Sequence, residues 1–284
     1  MPSRGSGSSP ELGVGDSFAG FRLEELLGEG AMGLVFRAVR VADGITVALK
    51  VLKAALSDDD TFRQRFLHEA RAAAETQHEH LVPILDAGET DGRSFLAVAY
   101  VEGPTLEERI RERGPLPVDD LVRIARELGS SLDALHRSGL VHRDVKSSNV
   151  LLDDDAALLT DFGLAKGPAY TVLTRPGQVM GTLEYLAPEL IRGEPATPAT
   201  DIYAFGCLVY ECAAGKTPFG GRSLFEVGIA HLDEEPPDPG AGRADWPSAL
   251  SVALVAALRK DPGDRPSSAP EYAAMLERAA AEER

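Results

Sequence analysis

Between Phe21 and Val101 the apolar and β-branched positions come in short runs. They predict strands at Phe21–Leu27, Val35–Val41, Ile45–Leu52, Leu81–Ala87 and Ser94–Val101. Asp43-Gly44 and Asp91-Gly92 fall between consecutive runs and signal hairpin turns. One interruption has a different period: Phe62, Phe66, Ala70 and Ala73 share one face of a helix, and Ser57-Asp58-Asp59-Asp60 can cap its start. Beyond residue 103 the helical period takes over. Val118, Leu121, Val122, Ala125, Leu128, Leu132 and Leu135 predict a long amphipathic helix stopped near Gly139, and further helices are expected near 201–213, 223–231, 248–260 and 268–281. A β-rich part followed by an α-rich part is an α+β arrangement. Residues 1–17, rich in Ser, Gly and Pro, read as a flexible leader. Residues 18–102 read as a small β-rich lobe with one main helix, and 103–280 as a larger, mainly helical lobe. The joint is placed near Glu102-Gly103-Pro104.

Composition narrows the function. Hydrophobic residues make up 44% of the 284, enough for a sizeable core. The net charge is −16, and residues 1–102 carry 10 basic against 16 acidic residues, so the acidity is spread along the chain. That argues against nucleic acid as the main partner, since a phosphate backbone needs clustered Lys and Arg. It is compatible with basic protein substrates, although a solvated acidic surface explains it better. Cys207 and Cys212 have neither a metal nor a disulfide spacing and read as buried free thiols of a cytoplasmic protein. No membrane span is expected within this chain.

Three segments carry candidate chemistry. Gly28-Glu-Gly30-Ala-Met-Gly33-Leu-Val35 lets a backbone turn approach phosphates with its N–H groups free to donate. The same glycine spacing opens a helix in dinucleotide-binding folds, but here it lies between two strand-like runs. Lys50, in Val47-Ala48-Leu49-Lys50, lies on a strand with two largely apolar faces and needs an anion. Phosphate oxygens are one candidate and a carboxylate from the helix over 60–76, where Glu69 sits, is another. The third stretch is His142-Arg143-Asp144-Val-Lys146-Ser-Ser-Asn149, followed by Asp161-Phe162-Gly163.

Taken together, these motifs resemble the protein kinase superfamily, and within it the bacterial eukaryotic-like serine/threonine kinases, from about Phe18 to about Leu276. The resemblance implies the bilobal protein kinase fold and transfer of the γ-phosphoryl group of ATP to protein Ser/Thr hydroxyls. It also implies Mg²⁺, with Mn²⁺ as an alternative ion. By the same resemblance, Gly28, Gly30 and Gly33 cover the phosphates, and Lys50 holds them while pairing with Glu69. Asp144 accepts the substrate proton, Lys146 steadies the γ-phosphate, and Asn149 and Asp161 hold the metal. Adenine is expected between Leu27, Val35 and Ala48 on one side and Leu151 on the other. The linker Ala99-Tyr100-Val101 offers its backbone edge, and Val98 guards the back pocket.

His142 is expected to be a packed core residue, and His78 and His80 loop packing. Asp201 is expected to brace the backbone of the His142–Asn149 loop, and Glu189 with Arg265 to form a buried ion pair. Gly181-Thr182 before Tyr185 fits the Ser/Thr class. Two other readings compete. A binding-only kinase fold would lack Lys50, Asp144, Asn149 or Asp161, and none is missing. A dinucleotide-dependent oxidoreductase is contradicted by the hairpin signals. The resemblance also suggests a switch: phosphorylation of Thr171 or Thr174, through self-association, with Arg65, Arg143 and Lys166 receiving the phosphate. It leaves open whether the chain acts alone or as part of a membrane-anchored receptor kinase.

Overall fold

The computed structural model describes residues 12–30, 32–57, 60–154, 156–161, 183–243 and 246–282. The chain divides into two compact units, one of residues 1–74 and 83–100, the other of 75–82 and 101–284.

The first unit is an antiparallel sheet ordered β1-β2-β3-β4-β6-β5, with strands β1 (Ser17–Phe18), β2 (Phe21–Glu29), β3 (Gly33–Arg40), β4 (Thr46–Leu52), β5 (Ile84–Thr90) and β6 (Arg93–Ala99). Strand alternation builds its core. Val47, Leu49 and Val51 of β4 point to one face and pack with Phe21, Leu23, Phe36, Phe95 and Ala97. The opposite face of β4 carries Ala48 and Lys50, both half-buried. Two helices follow β4: the short α1 (Ala54–Ser57) and α2 (Asp60–Glu75), which buries Phe62, Phe66, Ala70 and Ala73.

Two expectations change here. Residues 12–17, assigned above to the leader, are built onto the sheet: Leu12 packs against the core cluster, and Gly15 N–H and Asp16 C=O bond to Leu23 at 2.8 and 2.9 Å. Ser57 does not begin α2. It ends α1, and its Oγ accepts the Ser94 N–H at 3.0 Å, a long-range use of a hydroxyl that local spacing does not reveal.

The second unit is mainly helical: α3 (Leu106–Arg113), α4 (Val118–Arg137), α5 (Pro188–Ile191), α6 (Pro198–Ala214), α7 (Leu224–Asp233), α8 (Ser248–Val255) and α9 (Ala269–Ala281). A two-stranded hairpin, β7 (Val150–Asp153) with β8 (Ala156–Leu159), joins them. The helix α6 is buried on every side from Thr200 to Ala213, so it is the axis on which this unit packs. Cys207 and Cys212 lie inside it as free, buried thiols, and burial raises both well above the ordinary thiol range. Among the described residues no helix is long and apolar enough to cross a membrane.

Candidate active site

In the first unit, sheet register brings the candidate residues onto one row. Gly28 pairs with Val35, Val35 with Lys50, and Lys50 with Leu96, so these four lie side by side across β2, β3, β4 and β6. Ala48 pairs with Val98 one step along the same face. Lys50 is therefore flanked by apolar Val35 and buried Leu96. Leu96 was not singled out from sequence; only register reveals it.

The glycines differ in purpose. A Cβ on Gly33 would stand 2.0 Å from Val51 O, so close strand approach demands glycine there. Gly28 and Gly30 have no heavy atom within 4 Å of such a Cβ. Gly30 N–H donates to Gly33 O at 2.9 Å and closes the turn. Glu69 lies on α2, three residues after buried Phe66, and is half-buried. Leu27 is exposed, while Ala99 is half-buried with its N–H donating to Pro83 O at 2.9 Å.

In the second unit the stretch His142–Asn149 folds around one carboxylate. Asp144 Oδ2 lies 3.2 Å from Lys146 Nζ and 3.1 Å from Asn149 Nδ2, and Asn149 Nδ2 also donates to Asp144 O at 2.8 Å. The backbone is held from α6. Asp201 accepts the N–H of His142 at 2.7 Å and of Arg143 at 2.8 Å, and Oδ2 also lies 2.8 Å from His136 Nε2. Arg143 sits at φ 64°, a left-handed conformation unusual for a non-glycine residue, maintained by this bracing.

His142 is buried. Its Nδ1 accepts the Asp144 N–H at 3.3 Å, so Nε2 carries the proton and donates to Thr160 O at 3.1 Å. Burial lowers its pKa and keeps it neutral, a packed residue and not a base. Thr160 N–H donates to Asn149 O at 2.9 Å, which ties Asp161 (φ 57°) to the same loop. Leu151, half-buried on β7, bridges to Thr105, and Gly103 approaches Leu152 O so closely that a Cβ would lie 1.5 Å away. Val101, at the start of this unit, is half-buried.

The expected supports are in place. Arg265 and Glu189 form a two-pronged buried ion pair at 2.7 and 2.8 Å, with Thr200 Oγ1 donating to the same carboxylate at 3.0 Å. His80 N–H donates to His78 Nδ1 at 3.1 Å, and its own ring donates to Ala157 O at 3.2 Å, which is loop packing. Lys166, Thr171, Thr174, Gly181 and Thr182 lie outside the described residues.

Comparison with known proteins agrees with this picture. Residues 21–275 match the family described as Protein kinase domain. The chain is 40% identical over 252 residues to serine/threonine-protein kinase PknE of Mycobacterium tuberculosis, covering 88% of this chain and 44% of PknE. It is 40% identical over 261 residues to serine/threonine-protein kinase PknH of Mycobacterium bovis, covering 92% of this chain and 44% of PknH. The crystal structure of the Mycobacterium tuberculosis PknI kinase domain superposes with a TM-score of 0.76 at 34% identity, covering 95% of this chain and all of that one. The chain belongs to the protein kinase family and has its fold, a β-sheet lobe and a helical lobe. It spans less than half the length of the curated relatives PknE and PknH.

Proposed function

We propose that this chain is a serine/threonine protein kinase that transfers the γ-phosphoryl group of ATP to Ser and Thr hydroxyls of proteins. The observation that carries the reading is the Asp144–Lys146–Asn149 cluster, one carboxylate held by a lysine at 3.2 Å and an amide at 3.1 Å. Phosphoryl transfer relies mainly on positioning and charge neutralisation, and this cluster supplies both. Asp144 takes the proton of the attacking hydroxyl. Lys146 places positive charge where the transferred group carries negative charge. Lys50, supported by Glu69, binds the phosphates beneath Gly28, Gly30 and Gly33, and the open space at Gly28 and Gly30 fits a ligand against the backbone. Leu27, Val35, Ala48, Ala99, Val101 and Leu151 take the adenine. Relatives named serine/threonine-protein kinases support the hydroxyl class.

The donor set also fits Mg²⁺ or Mn²⁺. Because Asn149 spends Nδ2 on Asp144, its amide oxygen is left to act with the Asp161 carboxylate as hard oxygen ligands. Bound there, the metal would neutralise phosphate charge. Residues 18–280 form the kinase domain in this reading, with lobes 18–102 and 103–280. The net charge of −16 is compatible with basic protein substrates. Self-phosphorylation at Thr171 or Thr174 belongs to the same proposal. Arg65 of α2 supports it, because its buried Nε has no hydrogen-bond partner among the described residues. The test is transfer of labelled phosphate from ATP to a basic protein, followed by identification of the modified amino acid. Phosphoserine or phosphothreonine is expected; no transfer with Mg²⁺ present overturns the reading.

A further inference from the structure

Ser147 lies between Lys146 and Asn149 in a short 3-10 turn and is fully buried. Its Oγ is 3.0 Å from the Tyr185 hydroxyl, which in turn donates to Glu211 Oε2 at 2.5 Å. A phenol has one proton, so with that proton on Glu211 the Ser147 hydroxyl is the donor to Tyr185. The three groups form a directed chain, Ser147 to Tyr185 to Glu211, in which Tyr185 and Glu211 are both buried.

Glu211 lies on α6, ten residues after Asp201. At 1.5 Å per residue the two carboxylates are about 15 Å apart along one buried helix. Asp201 holds the loop at His142 and Arg143, while Glu211 reaches it through Tyr185 at Ser147. Asp144 and Lys146 lie between these two attachments. Lys146 is extended, at φ −165° and ψ 162°, so neighbouring side chains leave the backbone on opposite sides. Fixing Ser147 inward turns Lys146 outward, toward Asp144.

We propose that Ser147 is a positioning residue for phosphoryl transfer: its hydrogen bond to Tyr185 sets the direction of Lys146 and, through it, the placement of Asp144. The inference rests on the kinase reading given above. Ser147 touches none of the reacting atoms; it acts through its neighbour.

The experiment compares Ser147→Ala, Tyr185→Phe and the double variant in steady-state kinetics and in amide hydrogen exchange. Ser147→Ala loses the bond to Tyr185, which predicts a fall in kcat of about 3- to 10-fold, and Tyr185→Phe, which loses the bond to Glu211 as well, falls at least as far, each with KM for ATP within about twofold. The double variant falls no further than Tyr185→Phe alone, because that change already removes the Ser147–Tyr185 link together with the Tyr185–Glu211 bond. Exchange over residues 142–149 rises in each single variant and no further in the double. Wild-type kcat in both singles, multiplicative losses in the double, or unchanged exchange overturns the proposal. If Ser147→Ala does not fold, Tyr185→Phe, which removes one oxygen and with it the bonds to Ser147 and Glu211, is expected to lower kcat and raise exchange over residues 142–149 at least as much. A wild-type chain that transfers no phosphate defeats the kinase reading, and the exchange measurement still decides whether Ser147 holds the loop.

Discussion

Asn149 grips Asp144 twice with one nitrogen, Nδ2 donating to the backbone carbonyl at 2.8 Å and to Oδ2 at 3.1 Å. A residue proposed to hold a metal thus also fixes the proposed base, and the two tasks use opposite ends of one amide.

Asp144→Asn retains the shape but cannot accept a proton. Phosphate transfer should fall by about 10²- to 10⁴-fold. Binding of a fluorescent ATP analogue should stay near wild type, since Asp144 is assigned no contact with the nucleotide. Transfer at the wild-type rate would show that another group takes the proton.

Asp161→Ala should abolish turnover, and excess chelator should do the same to the wild-type chain. Adding Mg²⁺ or Mn²⁺ back should restore the wild type and not the variant. Turnover that persists in chelator removes Asn149 and Asp161 from the metal role.

Glu189 and Arg265 form a buried pair, so Glu189→Ala should cost about 3–5 kcal/mol by leaving a buried guanidinium uncompensated. For a chain of this size that is a drop in melting temperature of roughly 6–20 °C. Burial pushes the Glu189 carboxyl up, but the hydrogen bonds and charge of Arg265 outweigh it and hold the group below its ordinary 4.5. A lowered carboxyl stabilises the fold above its unfolded pKa and loses that contribution as pH falls through its folded value. The gap between wild type and Glu189→Gln should be full above about pH 4.5 and shrink below it. A constant gap down to acid denaturation would contradict the pairing.

His231 predicts a second pH dependence. It is fully buried with Nδ1 2.7 Å from the Tyr203 hydroxyl, and burial, with the Lys260 charge adding, lowers its pKa from 6.5 to about 3. Between those values the unfolded chain binds a proton that the folded chain refuses, so stability falls as pH drops below 6.5. At pH 5 this amounts to about 2 kcal/mol, and buried His142 shifts in the same direction. Urea denaturation at pH 7 and pH 5 should show the loss, and His231→Gln should reduce it by a similar amount. An equal pH slope in the variant would refute the assignment.

Gly33→Ala and Gly28→Ala should separate two uses of glycine. The first drives a methyl group to within 2.0 Å of Val51 O and should lower the melting temperature, while the second meets open space and should not. Equal melting temperatures would mean that β3 and β4 adjust to the intrusion.

Most of what is written in local period or short spacing was legible in the sequence. The strands around Lys50 show as short apolar, β-branched runs, α2 and α4 as helical stripes, and the candidate chemistry as spaced motifs. α3 was missed because only Leu106 and Ile110 are buried along it, although Thr105 and Glu108 form the capping box that starts it. Contacts between distant residues left no local trace. Ser57 with Ser94, Ser147 with Tyr185, and Ser251 with Asp238 are pairings of single polar atoms, set only once the chain has packed. Leu96 read as one strand residue among many until register put it beside Lys50.

The two carboxylates of α6 also make the helix a phase standard. Each inserted residue advances a helix by 100° and 1.5 Å. A single insertion between Asp201 and Glu211 would turn one carboxylate a quarter-circle or more away from the other, and the loop could then meet only one of them. Length is therefore locked in this stretch more tightly than identity. Many apolar side chains could fill the buried positions between the two acids, but their number is set by the angle at which Asp201 and Glu211 leave the helix.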